Sequence, residues 1–153
     1  MNSDTTPATA DPSATDDALA AQPIGYWSGA VHKVVVNRLR DAMAAIDVTQ
    51  PQWWILTRVD AGAGLTPEDV AAQLADVADG PHEVPRATDQ LLHRGWIVTD
   101  EARRLHLTEA GRAAQDRIRR LVAQLRAQIH EGIPDEEYVV ALKVMRRMIA
   151  NSR

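Results

Sequence analysis

LLHRGWIVTDEARRLHLTEAGR, residues 91–112, is the stretch that decides the fold. Leu91 and Leu92 close a helical pattern, and Gly95 stands where a helix C-terminus takes a left-handed residue. Residues 96–100 and 103–107 are short β-prone runs separated by Glu101 and Ala102, which reads as a hairpin. Leu105 and Leu107 alternate with Arg104 and His106, so one face of the hairpin packs and the other meets solvent. Thr108 and Glu109 then cap a long helix whose apolar stripe is Ile118, Leu121, Val122, Leu125 and Ile129.

Upstream of this stretch the pattern is helical throughout. Ile24, Trp27, Val31, Val34, Val35, Leu39, Met43 and Ile46 keep helical spacing over a wide apolar face. Thr49, Pro51 and Gln52 form a capping-box signature for a second helix over 50–59. Thr66, Pro67, Glu68 and Asp69 repeat that signal for a third helix, which the pattern ends near 75–77. A turn at Asp79-Gly80-Pro81 leads into a fourth helix over 82–93, with Pro85 in its first turn, where a missing N–H is tolerated. Downstream, Gly132-Ile133-Pro134 breaks the long helix. Asp135, Glu136 and Glu137 open the last one, with Tyr138, Val139, Leu142, Met145 and Ile149 on one side.

A helix, a turn and a second helix followed by a small hairpin is the winged form of helix-turn-helix, which sets its second helix in the DNA major groove. The expected fold is mainly α: a winged helix-turn-helix with a two-stranded β-hairpin wing. Dimerisation helices over about 24–47 and 108–151 flank a DNA-binding core over about 49–107. The long helices carry more apolar surface than so small a module can cover, which points to a homodimer reading a two-fold, palindromic operator.

Composition narrows the function. The chain has 153 residues and no cysteine, which excludes disulfides, thiolate metal sites and cysteine nucleophiles. No run has the length and apolarity of a membrane span, and the first residues do not form a secretory signal, so the cytoplasm is the expected location. The five histidines, His32, His82, His93, His106 and His130, show no metal-ligand spacing, and no nucleophile elbow or phosphate loop is present. No enzymatic activity, metal or cofactor is expected.

The formal net charge of -4, from 17 basic and 21 acidic residues, argues against nucleic acid until its placement is considered. Residues 1–22 hold Asp4, Asp11, Asp16 and Asp17 and no Lys or Arg, and read as a disordered acidic tail. From Arg86 to Arg120 eight arginines face five acidic residues.

At this point the motifs resemble those of MarR-type (multiple antibiotic resistance) transcriptional regulators. Residues 49–56, TQPQWWIL, resemble the second-helix motif of that family, and Gly64-Leu65-Thr66 with Val70-Ala71 resembles its third helix. Arg94-Gly95-Trp96-Ile97 is similar to its helix–wing junction, and Leu107-Thr108-Glu109-Ala110-Gly111-Arg112 to the opening of its fifth helix. Ile24-Gly25-Tyr26-Trp27 also resembles its first helix, so the similarity spans about residues 23–151. The resemblance implies a homodimeric winged-helix regulator, commonly a repressor that a small aromatic or anionic ligand releases from double-stranded DNA.

Carried onto this chain, Arg86 matches an arginine of the family's recognition helix, and His82, Arg86 and Gln90 share one helix face. Arg and Gln suit base edges. Arg94, Arg103, Arg104 and Arg112 suit phosphates. Tyr26, Trp27, His32, Trp53 and Trp54 are candidates for an effector pocket, with packing as the competing role. Two features depart from the family. The wing is several residues short, and Asp79 and Glu83 put negative charge at the start of the recognition helix. They favour an alternative, a winged-helix protein-interaction or antagonist module without sequence-specific DNA binding.

Overall fold

A computed structural model describes residues 15–62 and 64–153. Its elements are α1 (Asp16–Ala20), α2 (Ile24–Ala44), α3 (Gln50–Ala61), α4 (Pro67–Gln73), α5 (Glu83–His93), β1 (Ile97–Thr99), β2 (Leu105–Leu107), α6 (Glu109–Ile129) and α7 (Asp135–Asn151). The chain divides within α2 into two compact units, one ending at Val36 and one running Asn37–Arg153. Each is described by itself.

The first unit departs from expectation. Most of the tail read over 1–22 lies outside the described residues, but Asp16–Ala20 form a helix rather than irregular chain. The Thr15 hydroxyl accepts from the Ala18 N–H at 3.3 Å, and Asp16 and Asp17 sit in the first turn, where the helix dipole favours acids. In the opening turns of α2, Tyr26 and Trp27 meet edge to face with centroids 5.6 Å apart, and the Trp27 indole donates to Gln22 Oε1 at 2.7 Å.

In the second unit the capping signals do what the sequence asks. Thr49 and Gln52 form a reciprocal capping box at the start of α3, and Thr66 and Asp69 form another at α4. α2 ends at Ala44 and α4 at Gln73, each earlier than the apolar pattern suggests. After α2 the chain turns through Asp47, whose φ is 56°, to reach the α3 cap. Ile55, Leu56 and Val59 of α3, Val70 of α4, Val84, Ala87 and Leu91 of α5 and Ile118 of α6 close one core with Met43 and Val48.

The hairpin completes that core. β1 and β2 pair antiparallel in the register Ile97↔Leu107, Val98↔His106 and Thr99↔Leu105. Leu105 and Leu107 are buried and His106 is exposed, as the alternation requires. A further bond, from the Leu105 N–H to the Leu65 carbonyl at 2.7 Å, ties β2 to the segment before α4.

The two ends of the hairpin meet at one corner. Gly95, at φ 70°, ends α5, and the Trp96 N–H reaches back to the Leu91 carbonyl at 3.1 Å. The Thr108 hydroxyl donates to the Gly95 carbonyl at 2.6 Å and accepts from the Gly111 N–H at 3.0 Å. A Cβ at Gly111 would lie 1.9 Å from the Trp96 carbonyl oxygen, so only glycine lets α6 approach this closely.

Candidate nucleic-acid interface

α5 follows α4 through a connection over 74–82, longer than the three or four residues of a compact helix-turn-helix. Its amphipathic pattern fixes its two faces. Val84, Ala87, Thr88 and Leu91 are buried, while Arg86, Asp89, Gln90 and His93 are exposed. His82 stands at its N-cap and makes no side-chain cap; the Glu83 carboxylate instead accepts the Asp79 N–H at 2.7 Å and closes the preceding turn. His82, Arg86 and Gln90 line one cleft of about 480 Å³ together with Thr49, Pro51 and the acidic pair Asp79 and Glu83. The expected side-by-side placement of these three residues is present, though the acids share their face.

Arg94, a candidate for phosphate, fastens α5 to the segment joining α2 and α3. Its guanidinium donates to the Asp47 carbonyl at 2.6 Å and to Gln52 Oε1 at 3.3 Å, and its ion pair with the Asp47 carboxylate measures 3.6 Å. The same group lies 3.6 Å above the Trp96 ring. Gln52, 5% exposed, also accepts the Thr49 N–H at 3.1 Å and donates to Gln90 Oε1 at 3.0 Å. Neither Gln52 nor Asp47 was singled out for this clamp by the sequence. The capping box located Gln52 but gave no sign that its amide also serves α5.

The wing turns over residues 101–103. Asp100 and Arg104 close it, the Asp100 N–H donating to the Arg104 carbonyl at 3.0 Å, and Arg103 takes φ 62°. This is the three-residue hairpin loop with its last residue left-handed. Asp100 organises it: Oδ1 accepts the Ala102 and Arg104 N–H groups at 2.9 Å each, and Oδ2 meets His106 Nε2 at 2.9 Å. The His106 hydrogen bond first, then that from the Arg104 backbone, holds the Asp100 carboxyl below the usual aspartate range.

Arg103 and Arg104 are exposed, but both are partly committed. Arg103 donates to Glu68 in the first turn of α4 at 2.9 Å, and the Glu68 carboxyl is held below its usual value by its own backbone N–H and by Arg103. The Arg104 stem lies against Gly64, whose φ of 73° and lack of a Cβ leave room for it. Arg112 is exposed on α6, and its side chain forms no hydrogen bond or ion pair among the described residues.

The aromatic candidates divide between the units. Tyr26, Trp27 and His32 belong to the first, and Trp53 and Trp54 to the second, where both are half-buried against the core. Trp54, without Trp53, lines a cleft of about 320 Å³ with Arg40, Ala44, Val48, Pro51, Val77, Asp79 and Glu83. Among the described residues no cluster of His, Asp and Glu could hold a metal, and no helix is long and apolar enough to cross a membrane.

No family model and no curated protein matches this sequence. Solved structures do. The reduced form of MarR from E. coli superimposes with a TM-score of 0.67 at 20% identity, covering 83% of this chain and 93% of its own. The Mycobacterium tuberculosis MarR family protein Rv2887, solved in complex with DNA, gives 0.68 at 20% identity over 83% and 98%. The transcriptional repressor CouR, bound to p-coumaroyl-CoA, gives 0.66 at 23% identity over 83% and 91%. Caps, helix order, wing and corner therefore assemble into the fold of the MarR-type winged-helix regulators.

Proposed function

We propose that this chain is a homodimeric DNA-binding transcriptional regulator, a repressor that a small aromatic or anionic ligand releases from its operator. The observation that carries the reading is α5. Its apolar row is buried in the core while Arg86 and Gln90 stand outward, and the arginine-bearing wing follows directly. That is the arrangement a helix needs to enter a major groove with a flanking phosphate contact. The fold shared with a DNA-bound relative supports it.

Dimerisation is supported by α7. It buries none of its residues, and Val139, Val140, Leu142, Val144, Met148 and Ile149 are exposed along it. A second copy gives this surface a partner and supplies the second recognition helix. Ligand control is supported by the Trp54 cleft, where Arg40 offers a cation to an anionic ligand and Asp79 and Glu83 border the start of α5. Occupancy can act on DNA affinity only if the ligand binds the two arrangements of α5 unequally.

A second reading, a protein-interaction or antagonist module, is favoured by Asp79, Glu83 and Asp89 around α5 and by the Arg103–Glu68 pair, all of which reduce the positive potential at the DNA-facing side. A mobility shift on the DNA upstream of the chain's own gene, titrated with salt, separates the two. Specific retention over competitor DNA at low salt is the expected result, and retention no better than competitor leaves the interaction module.

A further inference from the structure

We propose that Gln90 is a specificity-determining residue, turned by Gln52 so that its amide N–H groups face the DNA and select a keto base, guanine or thymine, over an amino base, adenine or cytosine. The inference rests on the DNA-reading function proposed above.

The orientation follows from counting donors and acceptors. One end of the buried Gln52 amide meets the Thr49 backbone N–H at 3.1 Å and the Arg94 guanidinium at 3.3 Å. Both partners can only donate, so that end is the oxygen. The other end is then the NH₂, and its neighbour 3.0 Å away on Gln90 has to accept. Gln90 therefore turns its own oxygen inward, onto a residue that is 5% exposed. Arg94 cannot rotate away from this chain of bonds, because the Asp47 carbonyl and the Trp96 ring hold it from two other sides.

The consequence lies in what remains outward. A glutamine reads adenine by presenting its oxygen and an N–H side by side to N6 and N7. Here the oxygen is held against the protein, so the outward end of Gln90 is a donor. In the major groove guanine offers the acceptors O6 and N7 side by side and thymine offers O4, whereas adenine sets its N6 amino donor beside its one acceptor, N7, and cytosine offers only the N4 donor. Guanine, with two acceptors, is the better match of the two keto bases. Arg86, one turn earlier on the same exposed face, is likewise a pure donor.

The test is selection from a randomised duplex library with the full chain, Gln90→Ala and Gln52→Glu. Gln90→Ala, an exposed change, identifies the position in the half-site that residue 90 reads. At that position the unmodified chain is expected to prefer guanine or thymine about tenfold, the effect of one good base contact. Gln52→Glu replaces the inward donor with an acceptor beside the compensating Arg94 charge. Gln90 then has to donate inward and turn its oxygen out, and the preference passes to adenine or cytosine.

Three results would overturn the inference: an amino base preferred by the unmodified chain, no position lost in Gln90→Ala, or a keto preference retained by Gln52→Glu whose circular dichroism shows it folded. If Gln52→Glu does not fold, the first two results still decide. A motif enriched without a Gln90-dependent position sinks the inference alone. Enrichment of nothing by the unmodified chain sinks the DNA-reading function with it.

Discussion

Gly111 shows how a single hydrogen atom in place of a methyl group can hold two elements together. Its Cα lies so close to the Trp96 carbonyl that Gly111→Ala has to push α6 away from the end of α5. Overpacking of this kind costs about 1–3 kcal/mol, and chemical denaturation should show a loss in that range at unchanged m-value. Asp100 acts on the wing alone. Its carboxyl is held below its ordinary value of 3.8, so the ionised form is bound more tightly in the folded wing. The contribution is therefore complete above that ordinary value and is lost as pH falls through the lowered folded value. The amide resonances of Ala102 and Arg104 should shift together in this acid range, and Asp100→Asn should abolish the step. A shift in the variant identical to that of the unmodified chain would assign the step to another group.

At the scale of elements, α7 and α5 are built to opposite rules. α5 buries a complete apolar row, whereas α7 buries no residue and leaves Val140 and Leu142 exposed. For the proposed dimer, a substitution on α7 should therefore act on association and leave the folding of the single chain alone. Leu142→Asp is expected to weaken self-association roughly 10- to 100-fold, the worth of one buried leucine, with an unchanged far-ultraviolet spectrum. Sedimentation at a series of concentrations reads it, and an unchanged dimer would move the interface off α7. The helix boundaries also show which signals a sequence carries. Thr49, Thr66 and Thr108 mark helix starts within one residue, because a cap is a local hydrogen bond between near neighbours. The apolar pattern overruns the ends of α2 and α4, because Ile46 and Val77 continue it beyond the last helical residues, Ala44 and Gln73. α1 has no signature in the pattern, because five residues of Asp, Ala and Leu bury nothing and leave no periodic trace.

For the whole molecule, charge is the quantity that decides how tightly the proposed regulator would hold DNA. In the arginine-rich stretch Asp47 and Glu68 pair with Arg94 and Arg103, and Asp79, Glu83 and Asp89 lie around the outer side of α5, which lowers the positive potential there. Arg104→Ala should weaken binding on every DNA sequence alike and lower the slope of log affinity against log salt by about 1. Affinity measured at four or five salt concentrations checks this, and an unchanged slope would place Arg104 outside the interface. The fold was legible in the sequence because caps, alternation and the Gly95 stop are short-range patterns. The site was legible only in part. Arg86 and Gln90 stand outward as helical spacing requires, but Arg94 is held by Asp47 and Gln52, residues more than forty positions away, and no local pattern announces such a partner. The corner formed by Gly95, Trp96, Thr108 and Gly111 carries one more consequence. Both ends of the hairpin are fixed there by direct bonds and close contact, while beyond its own rim the turn over 101–103 is tied to the body, among the described residues, by the exposed Arg103–Glu68 ion pair. A change that lengthens or shortens the wing is thus best placed at its tip, where it is expected to leave the body that carries the wing undisturbed.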